Sequence, residues 1–238
     1  MLSLFNLIIS RLKGIEYKLD PIISTSDIFS IVFFRLISLW RGIYRRIGIK
    51  KCGKVLFIGK KVKIRHKKAI ELGNGVSLED YVYLDGLSKG GLKIGDNVKI
   101  GSYTIIACSG SLKHLGIGIE IGDNSGVGDH CFFGAAGGIK IGNNVIMGQN
   151  IRFHSEGHNF DKLDIPIKQQ GVTNKGITIG DDCWIGSGAV FLDGVQVGEG
   201  CVIGANTLVN KNVPSYSVAV GNPVKIVKSR LKIEVNVN

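Results

Sequence analysis

The sequence predicts a mainly-β chain, a solenoid of short parallel strands preceded by an amphipathic helical segment. Three observations carry that prediction. Glycine is abundant, at 34 of 238 residues, against only 4 prolines. Aliphatic residues recur every six positions over most of the chain from Leu72 to Val209. The charge is divided: residues 1–68 hold 16 of the 30 Lys/Arg and 3 of the 19 Asp/Glu, so a basic first segment carries the net +11 and the body is near neutral. With 44% apolar and 21% charged residues, wholesale disorder is excluded, and the lack of a Gly-X-Y run excludes collagen. The length suits one domain with a terminal appendage.

The first segment, 1–50, opens on an apolar stretch, 1–10, too short to span a bilayer. Arg11 follows that stretch rather than leading it, unlike the order of a cleavable signal. From Ile28 to Ile47 a helical winding gathers Ile28, Phe29, Val32, Phe33, Leu36, Leu39, Trp40, Ile43, Tyr44 and Ile47 on one side. Arg35, Arg41 and Arg45 fall opposite. Asp27 is the expected N-cap and Gly48 the expected stop. An aromatic-rich face with arginines behind it fits a helix lying in a membrane interface, or one packed on the body or on another copy. Lys50 to Lys68 carries nine Lys/Arg and would add attraction to anionic lipid. No zinc-finger, RRM or KH pattern is present, so nucleic acid is not an expected partner.

The body, 51–230, is built on the six-residue unit. Each reads aliphatic, usually Gly, two polar or small residues, a small or β-branched residue, then any residue. Ile94-Gly-Asp-Asn-Val98, Ile121-Gly-Asp-Asn-Ser125 and Ile141-Gly-Asn-Asn-Val145 are examples. Ile179, Ile185, Phe191, Val197, Ile203 and Val209 are each six apart. Six residues suit a strand plus a corner, where glycine would permit angles that a Cβ resists. The aliphatic residue and the small residue four later point inward, and stability comes from stacking coil on coil. Cys131, Cys183 and Cys201 take the small inward position and read as core filler. With no CxxC pair among five cysteines, a reduced cytoplasmic protein is expected. Residues 231–238 form a C-terminal tail.

These tandem units resemble the hexapeptide-repeat acyltransferases, whose fold is a left-handed parallel β-helix of triangular section. The resemblance implies a homotrimer with active sites between subunits. The repeat breaks at about 154–176, and long insertions in compact domains are often functional. Gly157-His158-Asn159-Phe160, then Ile165-Pro166-Ile167, then Ile179-Gly-Asp-Asp-Cys-Trp-Ile-Gly-Ser187, resembles the catalytic loop of the sugar and polysaccharide O-acetyltransferases. The resemblance makes His158 the general base for transfer from acetyl-coenzyme A, a role that histidine fills without tuning. It makes His130 a candidate for acceptor binding, joined by Asn159 in the loop and by His154, where the strand is still running. Where that family carries an acceptor-binding aspartate, this chain has Ala136, which sets it apart from galactoside and maltose acceptors. The resemblance assigns Trp184, Ser187 and Ala205 to the pantetheine wall, and Lys211, Lys225 and Lys228 to the nucleotide phosphates.

The expectation is therefore an O-acetyltransferase acting on a sugar hydroxyl, in surface polysaccharide or lipopolysaccharide biosynthesis. It would need no metal, and would be cytoplasmic or peripheral on the inner membrane. Two other readings stand beside it. One is a metal-dependent lyase of γ-carbonic anhydrase type, with His130, His154 and His158 as ligands. The other is a non-catalytic, membrane-associated trimeric scaffold. A second long stretch, Ile105–Glu120 with His114, is a candidate for shaping acceptor choice.

Overall fold

A computed structural model describes residues 18–231 together with Ser10 and Glu16. The apolar stretch 1–10, apart from Ser10, and the tail beyond Leu231 lie outside the described residues. The body is a left-handed parallel β-helix of three faces, with seven-, nine- and seven-stranded sheets. One coil runs through a strand on each face in turn: Ile139–Ile141, then Ile146–Met147, then Arg152–His154. Each pairs in parallel with the equivalent strand of the coils before and after. The six-residue period thus advances the chain by one face per unit. Two further strands close the stack at the C-terminal end, where Lys225–Ser229 returns antiparallel to Ser217–Val220.

The core is the column of inward side chains. Ile94, Ile121, Ile141 and Ile179 stack beneath the first face, and Phe133, Phe153 and Phe191 stack beneath the third with ring centroids 4.8 and 4.6 Å apart. Cys131, Cys183 and Cys201 are buried in this column, with Sγ donating to the carbonyls of Gly148, Gly198 and Pro214. Burial pushes the Cys131 and Cys183 thiols up to about 11, and they are inert filler as expected.

The corners explain the polar half of the repeat, and they correct the reading of its glycine. The left-handed backbone angle falls two residues after that glycine, on Asn97, Asn124, Asn144 and Asp182, each with φ 56°. Asn and Asp tolerate this region. The glycine is needed for room: a Cβ at Gly95 would run into the Asp123 carboxylate of the next coil. That carboxylate accepts the Asp96 N–H at 2.7 Å, and Asp181 accepts the Asn143 N–H at 2.8 Å. Each coil therefore satisfies a corner amide of the coil before it.

The helix α1, Thr25–Arg45, precedes the stack. Its N-cap is Ser24 rather than Asp27: Ser24 Oγ accepts the Asp27 N–H, and the Asp27 carboxylate accepts the Ser24 N–H, a reciprocal capping box. Gly48, with φ 85°, follows just beyond its end. Gly42 lies against Leu56, where a Cβ would overlap the carbonyl oxygen.

Candidate active site

Most of the chain beyond the regular repeat collects at the corner where the third face turns back into the first. Residues 86–91, 108–118, 135–138 and 155–176 all lie there. The longest of these segments carries His158. It is anchored at both ends. Ser155 is buried, its Oγ donating to Gly134 O at 2.7 Å and accepting the Gly137 N–H at 2.9 Å. At the far end the Asp193 carboxylate accepts the N–H groups of Lys175 and Gly176.

Between the anchors, Gly157–His158 pairs antiparallel with Val172–Thr173. Asn159 ties the two arms together, its N–H donating to Gly171 O at 3.1 Å and Nδ2 to Gln170 O at 3.0 Å. Gln170 clips the outer turn, with Oε1 accepting the Lys162 N–H and Nε2 donating to the carbonyls of Lys162 and Ile165. The loop is thus held by its own polar side chains, with Phe160, Leu163 and Ile167 exposed. The His158 ring projects from this arm and is exposed. Glu156, beside it, is engaged elsewhere: Asn174, with its amide turned to donate, reaches Glu156 Oε2 at 3.2 Å.

His154 stands on the third face next to the Phe132 ring, centroids 5.8 Å apart. Partial burial, and then the Arg152 charge, hold its pKa below the usual histidine value. That shift favours the neutral imidazole over the charged one.

His130 lies elsewhere, at the corner between the second and third faces. It has φ 58° and stacks on Tyr103 at 4.9 Å, which stacks on Tyr81 at 4.7 Å. Ser187 and Ala205 sit in successive coils at that same corner and are exposed. Ser187 Oγ accepts the Gln149 N–H at 3.1 Å. Trp184 is on the adjoining second face, 57% exposed, between Ile146 and Val202. Lys225 and Lys228 are on the terminal strand of that face, and Lys211 follows the last strand of the third face.

One chain therefore groups Ser187 and Ala205 at one corner, with Trp184 on the second face beside it, and His158 with Asn159 at another corner, with the third face between the two. It does not gather His130 with His158 either. Among the described residues no group of three or more His, Cys, Asp or Glu side chains has the arrangement to hold a metal ion. Among them, too, no helix is long and apolar enough to cross a membrane.

Residues 176–211 match the family model for the bacterial transferase hexapeptide (six repeats). The chain is a hexapeptide-repeat protein. It is 31% identical over 179 residues to a protein of Mycobacterium tuberculosis named a probable acetyltransferase, covering 74% of this chain and 50% of that one. A Staphylococcus aureus protein, also named an acetyltransferase, is 40% identical over 114 residues, 48% of this chain and 56% of that one. The chain spans about half the length of these relatives. Among solved structures, an N-acyltransferase from Bacillus cereus in complex with dTDP-4-amino-4,6-dideoxyglucose and coenzyme A is 22% identical with a TM-score of 0.53. The match covers 81% of this chain and 90% of that one, a likeness of fold.

Sequence reasoning passed over Gln170, Ser155 and Asp193, which hold the loop of this hexapeptide-repeat chain in shape. For Ser155 and Gln170 the available signal was the run of polar residues inside a segment read for its histidines and Asn159; Asp193 lies beyond that segment and carried no such signal. It also passed over Tyr81 and Tyr103, whose alignment with His130 needs the coil count.

Proposed function

We propose that this chain is an acetyl-coenzyme A-dependent O-acetyltransferase that acts on a sugar hydroxyl in surface polysaccharide or lipopolysaccharide assembly. The observation that carries the reading is the self-braced loop that presents an exposed His158 at the corner where the insertions collect. The relatives named as acetyltransferases support it, as does the sugar-nucleotide and coenzyme A complex of the structural neighbour.

The proposed assembly is a homotrimer, in which the His158 corner of one subunit meets the Trp184–Ser187–Ala205 corner of the next. The acceptor hydroxyl lies against His158, His154 and Asn159, with His130 at the edge of the wall. The thioester enters along Trp184, and Lys211, Lys225 and Lys228 lie near the phosphates. His158 takes the hydroxyl proton as oxygen attacks the thioester carbonyl carbon. The negative charge on the tetrahedral intermediate is met by a backbone N–H of a coil corner. The C–S bond then breaks, and the imidazolium returns its proton to the thiolate, leaving acetyl ester and free coenzyme A. Acetyl-coenzyme A places the reaction on the cytoplasmic side, and we place the enzyme peripherally at the membrane there.

The test is release of free thiol from acetyl-coenzyme A by purified protein against a panel of glycan acceptors. His158→Ala should lower kcat/KM by about 10²-fold or more, with the melting curve unchanged because the ring is exposed. Undiminished transfer by that variant would overturn the assignment.

A further inference from the structure

The helix α1 meets the body with the side that the sequence left facing away. Arg35 donates to Ser77 Oγ at 3.0 Å and lies over the Phe57 ring. Arg41 donates to Ile58 O, Arg45 to Val62 O, and Arg46 to the carbonyls of Cys52 and Gly53. These bonds fix the rotation of the helix. Of the apolar side, Ile28 is buried, while Phe33, Leu36, Trp40, Ile43, Tyr44 and Ile47 are 58–73% exposed. That is far more contiguous apolar surface than scattered single residues present.

The first coil, next to this face, is strongly cationic. Lys50 to Lys68 holds nine Lys/Arg and no Asp or Glu. Trp40, Tyr44, Arg41, Arg45 and Lys61 line a groove of about 240 Å³ between the helix and that coil. Aromatic rings with a polar edge, set among cations, fit the level of lipid headgroups, with the groove open to a phosphate.

We propose that the outward face of α1 and the lysine-rich first coil together form a docking surface for a membrane leaflet rich in anionic phospholipid. Charge decides between lipid and a second copy. Two copies paired through this face bring cationic ends together, whereas an anionic leaflet complements them. The helix lies in the interface plane, since it is not apolar enough to span. The proposal rests on the peripheral placement above and is separate from the transfer chemistry.

Flotation of the full-length protein with vesicles tests it. Partition should be strong on mixed phosphatidylglycerol–phosphatidylcholine vesicles, weaker on phosphatidylcholine alone, and should fall with added salt. The double variant Phe33→Ser/Trp40→Ser should lower partition at least tenfold with melting temperature, solution mass and thiol release unchanged. Lys54→Glu/Lys60→Glu should weaken binding at least roughly fivefold on the anionic vesicles only. Three results would overturn the proposal: no partition by the parent protein, full partition by the Phe33/Trp40 variant, or a drop in oligomer mass on that substitution, which would mark the face as covered by a second copy. Loss of transfer in His158→Ala with docking intact would separate the two proposals.

Discussion

The Asp85 carboxylate accepts three hydrogen bonds: from Leu87 N–H at 3.1 Å, from His66 Nδ1 at 2.6 Å and from Tyr83 Oη at 3.2 Å. Burial pushes its pKa up, but the bonds from Leu87, His66 and Tyr83 outweigh that and leave it below the ordinary carboxylate value. A depressed folded pKa contributes stability above the unfolded value, about 3.9, and loses it as pH falls through the folded value. Asp85→Asn should therefore be less stable than the parent at neutral pH, and the gap in denaturant midpoint should close as pH falls through the depressed folded value. A gap that persists in strong acid would assign the loss to packing. The cysteines give a second residue-level prediction. Cys108, Cys131, Cys183 and Cys201 are buried, and burial raises every one of their pKa values, Cys108 to about 12. A thiol reagent should label Cys52 slowly in folded protein and all five cysteines only after unfolding. Rapid labelling of Cys183 would show that the stack opens. The burial of Cys131, Cys183 and Cys201 was legible, because the six-residue phase fixes in from out; that of Cys108, at the start of an insertion, was not. The ring stacking of His130 was not. Tyr81, Tyr103 and His130 are 22 and 27 residues apart, and only the unequal insertions bring them to one corner. The stack also limits what His130 offers, because one ring face is already covered by Tyr103.

At the scale of the element, the loop and the helix make opposite use of polar side chains. In the loop they act inward. Gln170 makes three hydrogen bonds across the turn, and its removal frees the arm without touching a stacked coil. On the proposed mechanism, Gln170→Ala should lower kcat about tenfold or more, because the proposed base, His158, is no longer held in place, while the melting temperature moves little. Unchanged kcat would show that the hairpin of Gly157–His158 with Val172–Thr173 is brace enough. In α1 the polar side chains act as tethers, and there the sequence was only half legible. Periodicity identified an apolar side and an arginine side, but it carries no information on which side a neighbour takes. The carbonyls of the first coil have no preceding coil to bond, and arginines satisfy several of them, so the polar side faces in. The N-cap was displaced for a similar reason. Asp27 serves equally well three residues inside the helix once Ser24 is available to complete the box.

At the scale of the whole molecule, the six-residue phase made the prism readable before any coordinate, because a repeat that cannot bury its own face must stack. The insertions were visible as interruptions. The corner that each residue occupies was not, since that depends on counting units through segments of unequal length. The count matters because it puts His158 at one corner and Ser187 and Ala205 at another, with Trp184 on the face beside them. No motion of one rigid prism closes the width of its third face, so the proposed site draws its halves from two subunits of the proposed trimer. Mixing tests this directly. His158→Ala lacks the proposed base, and Ala205→Trp blocks the proposed coenzyme A wall at an exposed corner position. Each alone should be inactive. Refolded together in equal amounts, they should recover up to about a quarter of the parent activity, because one site in four joins an intact base to an intact wall. If both halves came from the same chain, every subunit would carry one defect, and the mixture would stay as inactive as its parts.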